Sequence, residues 1–435
     1  MTVRRVLTWV ADRPLAALPL LMLALIERVW WSIAGHMEIR DTELNNVAVS
    51  WARTGWLADA FQPNSGPTAH VGALPPVIPG LVFRLFGADT PSSAMVLTII
   101  SACVVVATAL VLNRLFARIG TPAVFRGAAV VLICLIPLYL ELEARSLRVY
   151  ENGSAALLLA VLLMNVVRID IDKRVGPTQI LALSAIAAII VALSPTFGLC
   201  AIAILGILAL RRMNWSGRFA AAAVLAIVLT ATSLPWALRN RAVLGETVWT
   251  RGNFGLEFAI GTNAAAVAPV NPQANYLARL AEIHPHQSPP AYRAMETAGG
   301  ELRYARRLGD ETWNWVFAHP MQAVSIWTRH LSEFFFPPLW LWFQTAGPDV
   351  TVPIRMVVVD LIAALALVGL IGGLARRQWL FLYFLPPIIL FPLPYILAQP
   401  LVRYRYGIAS LLVFLAADWL GRLTKQGQGA LKPVA

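Results

Sequence analysis

Three carboxylates, Glu38, Asp41 and Glu43, sit in the short polar stretch 36–45 that directly follows the first apolar run of the chain. Carboxylates at the mouth of an apolar bundle cost free energy, so they point to chemistry more than to stability. Asp41 can act as a general base, drawing the proton from an acceptor hydroxyl as that oxygen attacks a sugar carbon. It can also cap a helix over 42–54, because aspartate accepts well from the free N–H groups of a first turn. The two roles are compatible. Glu43 shares a face with Asp41 on an extended loop and points elsewhere on a helix.

Other charged groups are candidates for binding. After the third apolar run come Glu141, Glu143, Arg145, Arg148, Tyr150 and Glu151. Arginine forks suit a phosphate and mixed charges can orient a sugar; the alternative is a solvated loop of local ion pairs. Glu141 and Glu143 are a weak donor set for a divalent cation, with no histidine in support. Arg403-Tyr404-Arg405 places two cations and an aromatic at the end of a span. They can clamp a lipid-linked phosphate or snorkel to the interface. Arg239-Asn240-Arg241 offers a second basic edge of the same kind. Asp170 and Asp172 have the Asp-x-Asp spacing of nucleotide-sugar enzymes but lie in the basic stretch 168–174, where a solvated charge run is expected. His284 and His286 flank Pro285 without a third ligand following, so the chemistry is expected to be metal-independent and without cofactor. No Gly-rich phosphate loop, Walker pattern or Gly-x-Ser-x-Gly elbow occurs.

Membrane-spanning segments must position these residues. Hydrophobic residues make up 58% of the chain and charged ones 13%, with a mean hydropathy of +0.67, which excludes an ordinary soluble globular protein. A spanning helix needs about 20 mostly apolar residues. Candidates fall at 14–34, 92–115, 122–140, 152–167, 178–193, 195–210, 219–238, 354–374, 379–398 and 406–423. In lipid, helices are the expected form because they pair their own backbone groups. The net charge of +12 does not indicate nucleic acid, because the basic residues gather in alternate short connections such as Arg4/Arg5/Arg13 and Arg211/Arg212/Arg218. That positive-inside pattern puts both termini in the cytoplasm and fits about ten crossings. Cys103, Cys134 and Cys200 fall inside predicted spans, so no outward disulfide framework is expected.

The expected organisation is an N-terminal transmembrane module at 1–238 whose first outward loop, 35–91, holds the acidic residues. An outward segment at 239–353, C-terminal spans at 354–423 and a cytoplasmic tail at 424–435 follow. The first apolar run reads as a retained span, and 81–86, too short to cross alone, as interfacial. In the outward segment a turn-rich stretch, 270–290, precedes a helical pattern at 291–318 and an amphipathic run at 321–336. Trp327, Phe334, Phe335, Phe336, Trp340 and Trp342 suit an aromatic belt at the lipid–water boundary.

Taken together, these residues resemble the bacterial GT-C glycosyltransferases, relatives of the protein O-mannosyltransferases and lipid A aminoarabinose transferases. The resemblance rests on Asp41 with Gly66-Pro67-Thr68-Ala69-His70 and Pro75-Pro76-Val77-Ile78-Pro79. It continues through Pro235-Trp236-Ala237-Leu238-Arg239-Asn240, Asn253-Phe254-Gly255-Leu256-Glu257, His319-Pro320 and Arg403-Tyr404-Arg405. It implies an all-α polytopic bundle of about ten transmembrane helices with outward amphipathic helices and a medium-sized periplasmic segment. It also implies inverting transfer of a hexosyl or pentosyl unit from a polyprenyl-phosphate sugar to a glycan, lipid or protein acceptor, outside a bacterial inner membrane. Asp41 matches the family's first-loop catalytic acidic residue, with Glu43 two positions on. The other positions drawn into substrate binding are His70, Glu141, Glu143, Arg148, Tyr150, Glu151, Arg239, Asn253, Glu257, Arg403, Tyr404 and Arg405. The sequence departs from the family's usual adjacent Asp-Glu pair, since Thr42 separates Asp41 from Glu43. The rival readings are a transporter or flippase for a lipid-linked glycan, and an oligosaccharide ligase or polymerase.

Overall fold

The computed structural model describes residues 2–34, 42–136, 138–149, 151–346 and 349–430; Asp41 and Tyr150 lie outside them. The first half of the chain forms α1 (Val3–Asp12), α2 (Ala17–Ile33), α3 (Glu43–Thr54), α4 (Val77–Phe86), α5 (Pro91–Arg118) and α6 (Ala123–Leu135). It continues with α7 (Leu140–Val149), α8 (Asn152–Asp172), α9 (Pro177–Leu193), α10 (Pro195–Arg212) and α11 (Trp215–Leu244). Next come α12 (Phe254–Gly261), α13 (Pro272–Ile283), α14 (Pro289–Thr297), α15 (Glu301–Ala318), α16 (Pro320–Phe335) and α17 (Leu339–Ala346). The chain closes with α18 (Val352–Ala375), the short α19 (Leu385–Ile389) and α20 (Leu393–Leu397), and α21 (Val402–Ala430). Among the described residues there is no β-strand, only an isolated bridge of Ala58 with Pro67.

The protein is an all-α, multi-pass membrane protein. Among the described residues seven segments are long and apolar enough to cross: α5, α8, α10, α11, α18, Trp379–Leu397 and Val402–Thr424 of α21, with the bent pair α1–α2 a further candidate. Two expected spans are shorter helices, α6 with 13 residues and α9 with 17. α6 stops early because Pro137 follows: Ile136 is already extended, at φ −102 and ψ 119, as the residue before a proline prefers. Local signals set the other ends. Thr90 caps α5 in a capping box with Pro91 in its first turn, and Asn271 and Ser288 are side-chain N-caps ahead of Pro272 and Pro289.

Two expectations change here. The turn-rich stretch 270–290 contains α13, and the pattern at 291–318 is two helices broken at Gly299 and Gly300, whose φ values of +84 and +107 suit glycine. Nor do the expected belt aromatics all face lipid. Trp342 is fully buried and stacks on Tyr139, Phe334 and Phe335 are buried, and Trp327 donates to Thr262 Oγ1 at 3.0 Å.

The membrane core gathers Phe116, Phe384 and Phe414 with Phe197 and Phe391 around α5, α8, α10 and α21. At Gly127 of α6 an added Cβ would stand 1.9 Å from Leu7 O of α1, so only glycine allows that crossing. Charged groups inside the bundle are paired. Asp170, expected to be solvated, is fully buried and bridges Arg211 and Arg212 from α8 to α10. Burying a carboxylate in an apolar end costs far less when two guanidinium groups meet it.

A second, smaller core brings the two extramembrane segments together at one end of the bundle. Leu44, Val47, Phe61 and Val71 from residues 42–71 pack on Leu256, Ile260, Ile283, Met295 and Leu308. Glu301 at the start of α15 accepts from Ala69 N and Thr68 Oγ1, and Arg239 donates to the carbonyls of Thr68 and Leu57. The loop at 57–71 is thus tied to both α11 and α15.

On α16, burial pushes the Glu333 carboxyl up to about 7 against the pull of Arg329. The folded state therefore holds a proton that an unfolded carboxyl has already lost above its usual 4.5, and this contribution disappears as pH rises towards 7. Glu333→Gln is expected to unfold about 2–4 °C higher than wild type at pH 8 and level with it at pH 4. Thermal unfolding in detergent, followed by tryptophan fluorescence, checks this; equal gaps at both pH values would contradict it.

Candidate active-site cavity

Where the second core meets the bundle lies a cavity of about 330 Å³. Its extramembrane wall comprises Thr42, Glu43, His70, Thr250, Arg251, Asn253 and Glu257; its membrane-side wall comprises Glu151, Asn152, Thr196, Tyr395, Arg403 and Tyr404. These residues come from seven separate stretches of chain.

Thr42 is the N-cap of α3, its Oγ1 accepting from Asn45 N at 3.3 Å. The cap expected of Asp41 therefore falls to Thr42. This leaves Glu43 in the first turn, where the helix dipole favours a carboxylate. Glu43 Oε1 lies 3.4 Å from His284 Nε2, and the His70 ring stands edge-on to His284 with centroids 5.9 Å apart. Burial would raise the Glu43 carboxyl, but the charge of His284 foremost, when that imidazole is protonated, brings it down. Burial lowers the His70 imidazole to about 3 in spite of Glu43. Near neutral pH the wall thus carries a carboxylate beside an unprotonated His70.

Across the cavity Arg251 Nη1 donates to Glu151 Oε1 at 2.9 Å. The Nε of Arg251 is buried without a hydrogen-bond partner among the described residues. A buried donor without a partner is costly and calls for a ligand. Arg403 donates to Tyr404 Oη at 2.9 Å, and its backbone carbonyl accepts from Asn152 Nδ2 at 3.0 Å. Tyr404 stacks on Tyr395 with centroids 4.1 Å apart. The cavity therefore has one cation and two aromatic faces at its membrane side, a second cation on the other wall, and carboxylates at both walls.

No protein-family model and no curated protein matches the chain. Among solved structures it is similar to the archaeal oligosaccharyltransferase AglB from Archaeoglobus fulgidus, in complex with an inhibitory peptide and a dolichol-phosphate. The two share 13% identity at a TM-score of 0.48, over 98% of this chain and 53% of that one. It is also similar to ArnT from Cupriavidus metallidurans bound to undecaprenyl phosphate, at 13% identity and a TM-score of 0.34, over 96% and 79% of the two chains. The apo ArnT structure aligns equally, at a TM-score of 0.34. This chain spans about half the length of the AglB chain.

Of the residues singled out in the sequence, Glu43, His70, Glu151, Asn253, Glu257, Arg403 and Tyr404 meet at this cavity. Several others point elsewhere. Glu141 forms a two-pronged pair with Arg355 of α18, at 2.7 and 2.9 Å. Glu143 pairs with the buried Arg28 of α2. Arg405 is buried away from the cavity on Tyr139 and the carbonyls of Val359 and Phe335. Arg239 is spent on the 57–71 loop. The segment 140–149, for which a solvated loop is the alternative reading of the sequence, is the helix α7, and Arg148 is part of its backbone. Residues 403 and 405 of α21, like 141 and 143 of α7, lie about 200° apart around a helix, so neither pair shares a face.

Arg251, Tyr395 and His284 were not singled out as binding residues in the sequence. Arg251 had one available signal, as a lone cation two residues ahead of Asn253 in an extramembrane segment.

Proposed function

We propose that the chain is an inverting glycosyltransferase that moves one sugar from a polyprenyl phosphate to an acceptor hydroxyl on the outer face of a bacterial inner membrane. The observation that carries this reading is the unpartnered Nε of Arg251 in a cavity that Arg403 also lines and whose two walls bear carboxylates. A sugar carried on a lipid phosphate needs no nucleotide, because the phosphate is itself the leaving group. The protein then has to hold that phosphate, present the hydroxyl in line behind the anomeric carbon and take up its proton.

Arg251 and Arg403 take the first task. Tyr395 and Tyr404 offer stacked faces to the sugar or to the first isoprene unit. The acceptor oxygen attacks the anomeric carbon, the carbon–phosphate oxygen bond breaks, and the electron pair leaves on the lipid phosphate. Asp41, the residue before the cavity-lining Thr42 in the chain, is assigned the hydroxyl proton. Glu43, in the first turn of α3 and 3.4 Å from His284 Nε2, is assigned a positioning role. The basic residues in alternate loops support the outward orientation of this end.

The test is donor consumption by the purified protein in nanodiscs. A panel of polyprenyl-phosphate monosaccharides is supplied with a membrane extract as acceptor, and Asp41→Asn is run alongside. Release of polyprenyl phosphate by wild type and not by Asp41→Asn is expected. Folded wild-type protein that releases none from any donor would shift the assignment to a transporter or an oligosaccharide ligase.

A further inference from the structure

We infer that Glu43, His70 and His284 form a binding site for a zinc-class divalent cation at the cavity wall, with a fourth position open to an oxygen ligand. One ligand atom from each residue lies within 4.8 Å of the others. The Glu43 Oε1–His284 Nε2 separation of 3.4 Å matches the edge of a tetrahedron around a zinc ion, about 3.3 Å for bonds of about 2.0–2.1 Å. The other two edges lie within 4.8 Å and have to shorten towards that length on binding.

A second observation is independent of that clustering. His70 is only 6% exposed, and among the described residues no hydrogen bond holds either of its ring nitrogens. Phe61 packs edge-on against the ring at 5.0 Å, and His70 lines the cavity. A buried imidazole without a partner is the kind of group that a ligand satisfies.

The donor set selects the metal. Two imidazoles and one carboxylate favour zinc and its first-row neighbours over magnesium or calcium, which prefer all-oxygen cages. His284 Nδ1 accepts weakly from His286 N at 3.3 Å. With a cation on Nε2, Nδ1 carries the proton and that contact opens. The three ligands come from the start of α3, the loop before α4 and the connection between α13 and α14, so the cation fastens three segments of one cavity wall. The absence of a third ligand near His284 and His286 in the sequence is made good by residues distant along the chain.

The site stands apart from the assignment of the donor, and its test needs no sugar. Tag-free protein in detergent is stripped with a chelator and dialysed against micromolar zinc chloride, and bound zinc is counted by mass spectrometry. Cobalt(II) in place of zinc reports geometry through its visible ligand-field bands. The expected result is about one equivalent per chain with tetrahedral cobalt bands. His284→Ala and Glu43→Gln are expected to bind roughly tenfold more weakly or worse, and the exposed His319→Ala as tightly as wild type. If His284→Ala does not fold, His284→Gln replaces it. Wild type without stoichiometric zinc, or His284 and Glu43 variants that retain it, would overturn the inference.

Discussion

Arg251→Ala is expected to lower sugar transfer by roughly two orders of magnitude or more, the cost of removing one positioned donor to a developing anion. Arg251 and Glu151 are 2.9 Å apart, with side chains 27% and 10% exposed, so removing the cation acts in two ways. It deprives the departing phosphate of a partner, and it leaves the Glu151 carboxylate poorly solvated. The double variant Arg251→Ala/Glu151→Gln separates the two. If Arg251 serves only to neutralise Glu151, the double variant recovers both thermal stability and transfer. If Arg251 holds the phosphate, stability returns while transfer stays low. The second pattern is expected. Arg251→Lys keeps the charge without the planar fork, and an intermediate rate with a raised KM for the lipid donor is expected. Single-turnover release of polyprenyl phosphate is the measurement. Recovery of transfer in the double variant would remove Arg251 from phosphate binding.

The sequence made the membrane architecture readable because apolar run length and charged connections are local signals. It made the cavity only partly readable. Glu43, His70 and Glu151 were found through acidic placement and motif resemblance, yet nothing local shows that His284 approaches Glu43, since the two lie far apart in the chain. Short charged clusters misled for a geometric reason. Glu141 with Glu143, and Arg403 with Arg405, read as paired tools while their segments are treated as loops. Once each segment is a helix, the two members of each pair face opposite ways. Asp170 misled for an energetic one: its basic neighbourhood reads as a solvated charge run, whereas the residues that partner it, Arg211 and Arg212, stand on another helix.

Arg28→Met is expected to destabilise the protein by about 3–5 kcal/mol, the range found when one member of a buried ion pair is removed. Arg28 has no exposed surface. Its guanidinium meets Glu143, Glu27 at 3.1 Å, and the carbonyls of Cys134 and Ala24 at 3.2 and 3.3 Å. Methionine fills similar volume but leaves the Glu143 carboxylate in an apolar bundle without its cation. Arg28→Met/Glu143→Gln removes that uncompensated charge and is expected to recover most of the loss, because a well-packed neutral replacement of a buried pair is often near neutral. Unfolding in detergent, with the two single variants completing a double-mutant cycle, gives the coupling directly; additive losses would show that Arg28 acts through Glu27 and the two carbonyls and not through Glu143. The consequence for activity follows from chain order. α2 leads into the stretch that carries Asp41 and Glu43, and α7 leads into Glu151. The Arg28–Glu143 pair therefore fixes the helices that deliver both walls of the cavity. The double variant is expected to regain stability but to transfer more slowly than wild type, since neutral packing restores the fold without fixing the relative position of α2 and α7 as tightly as the buried pair does.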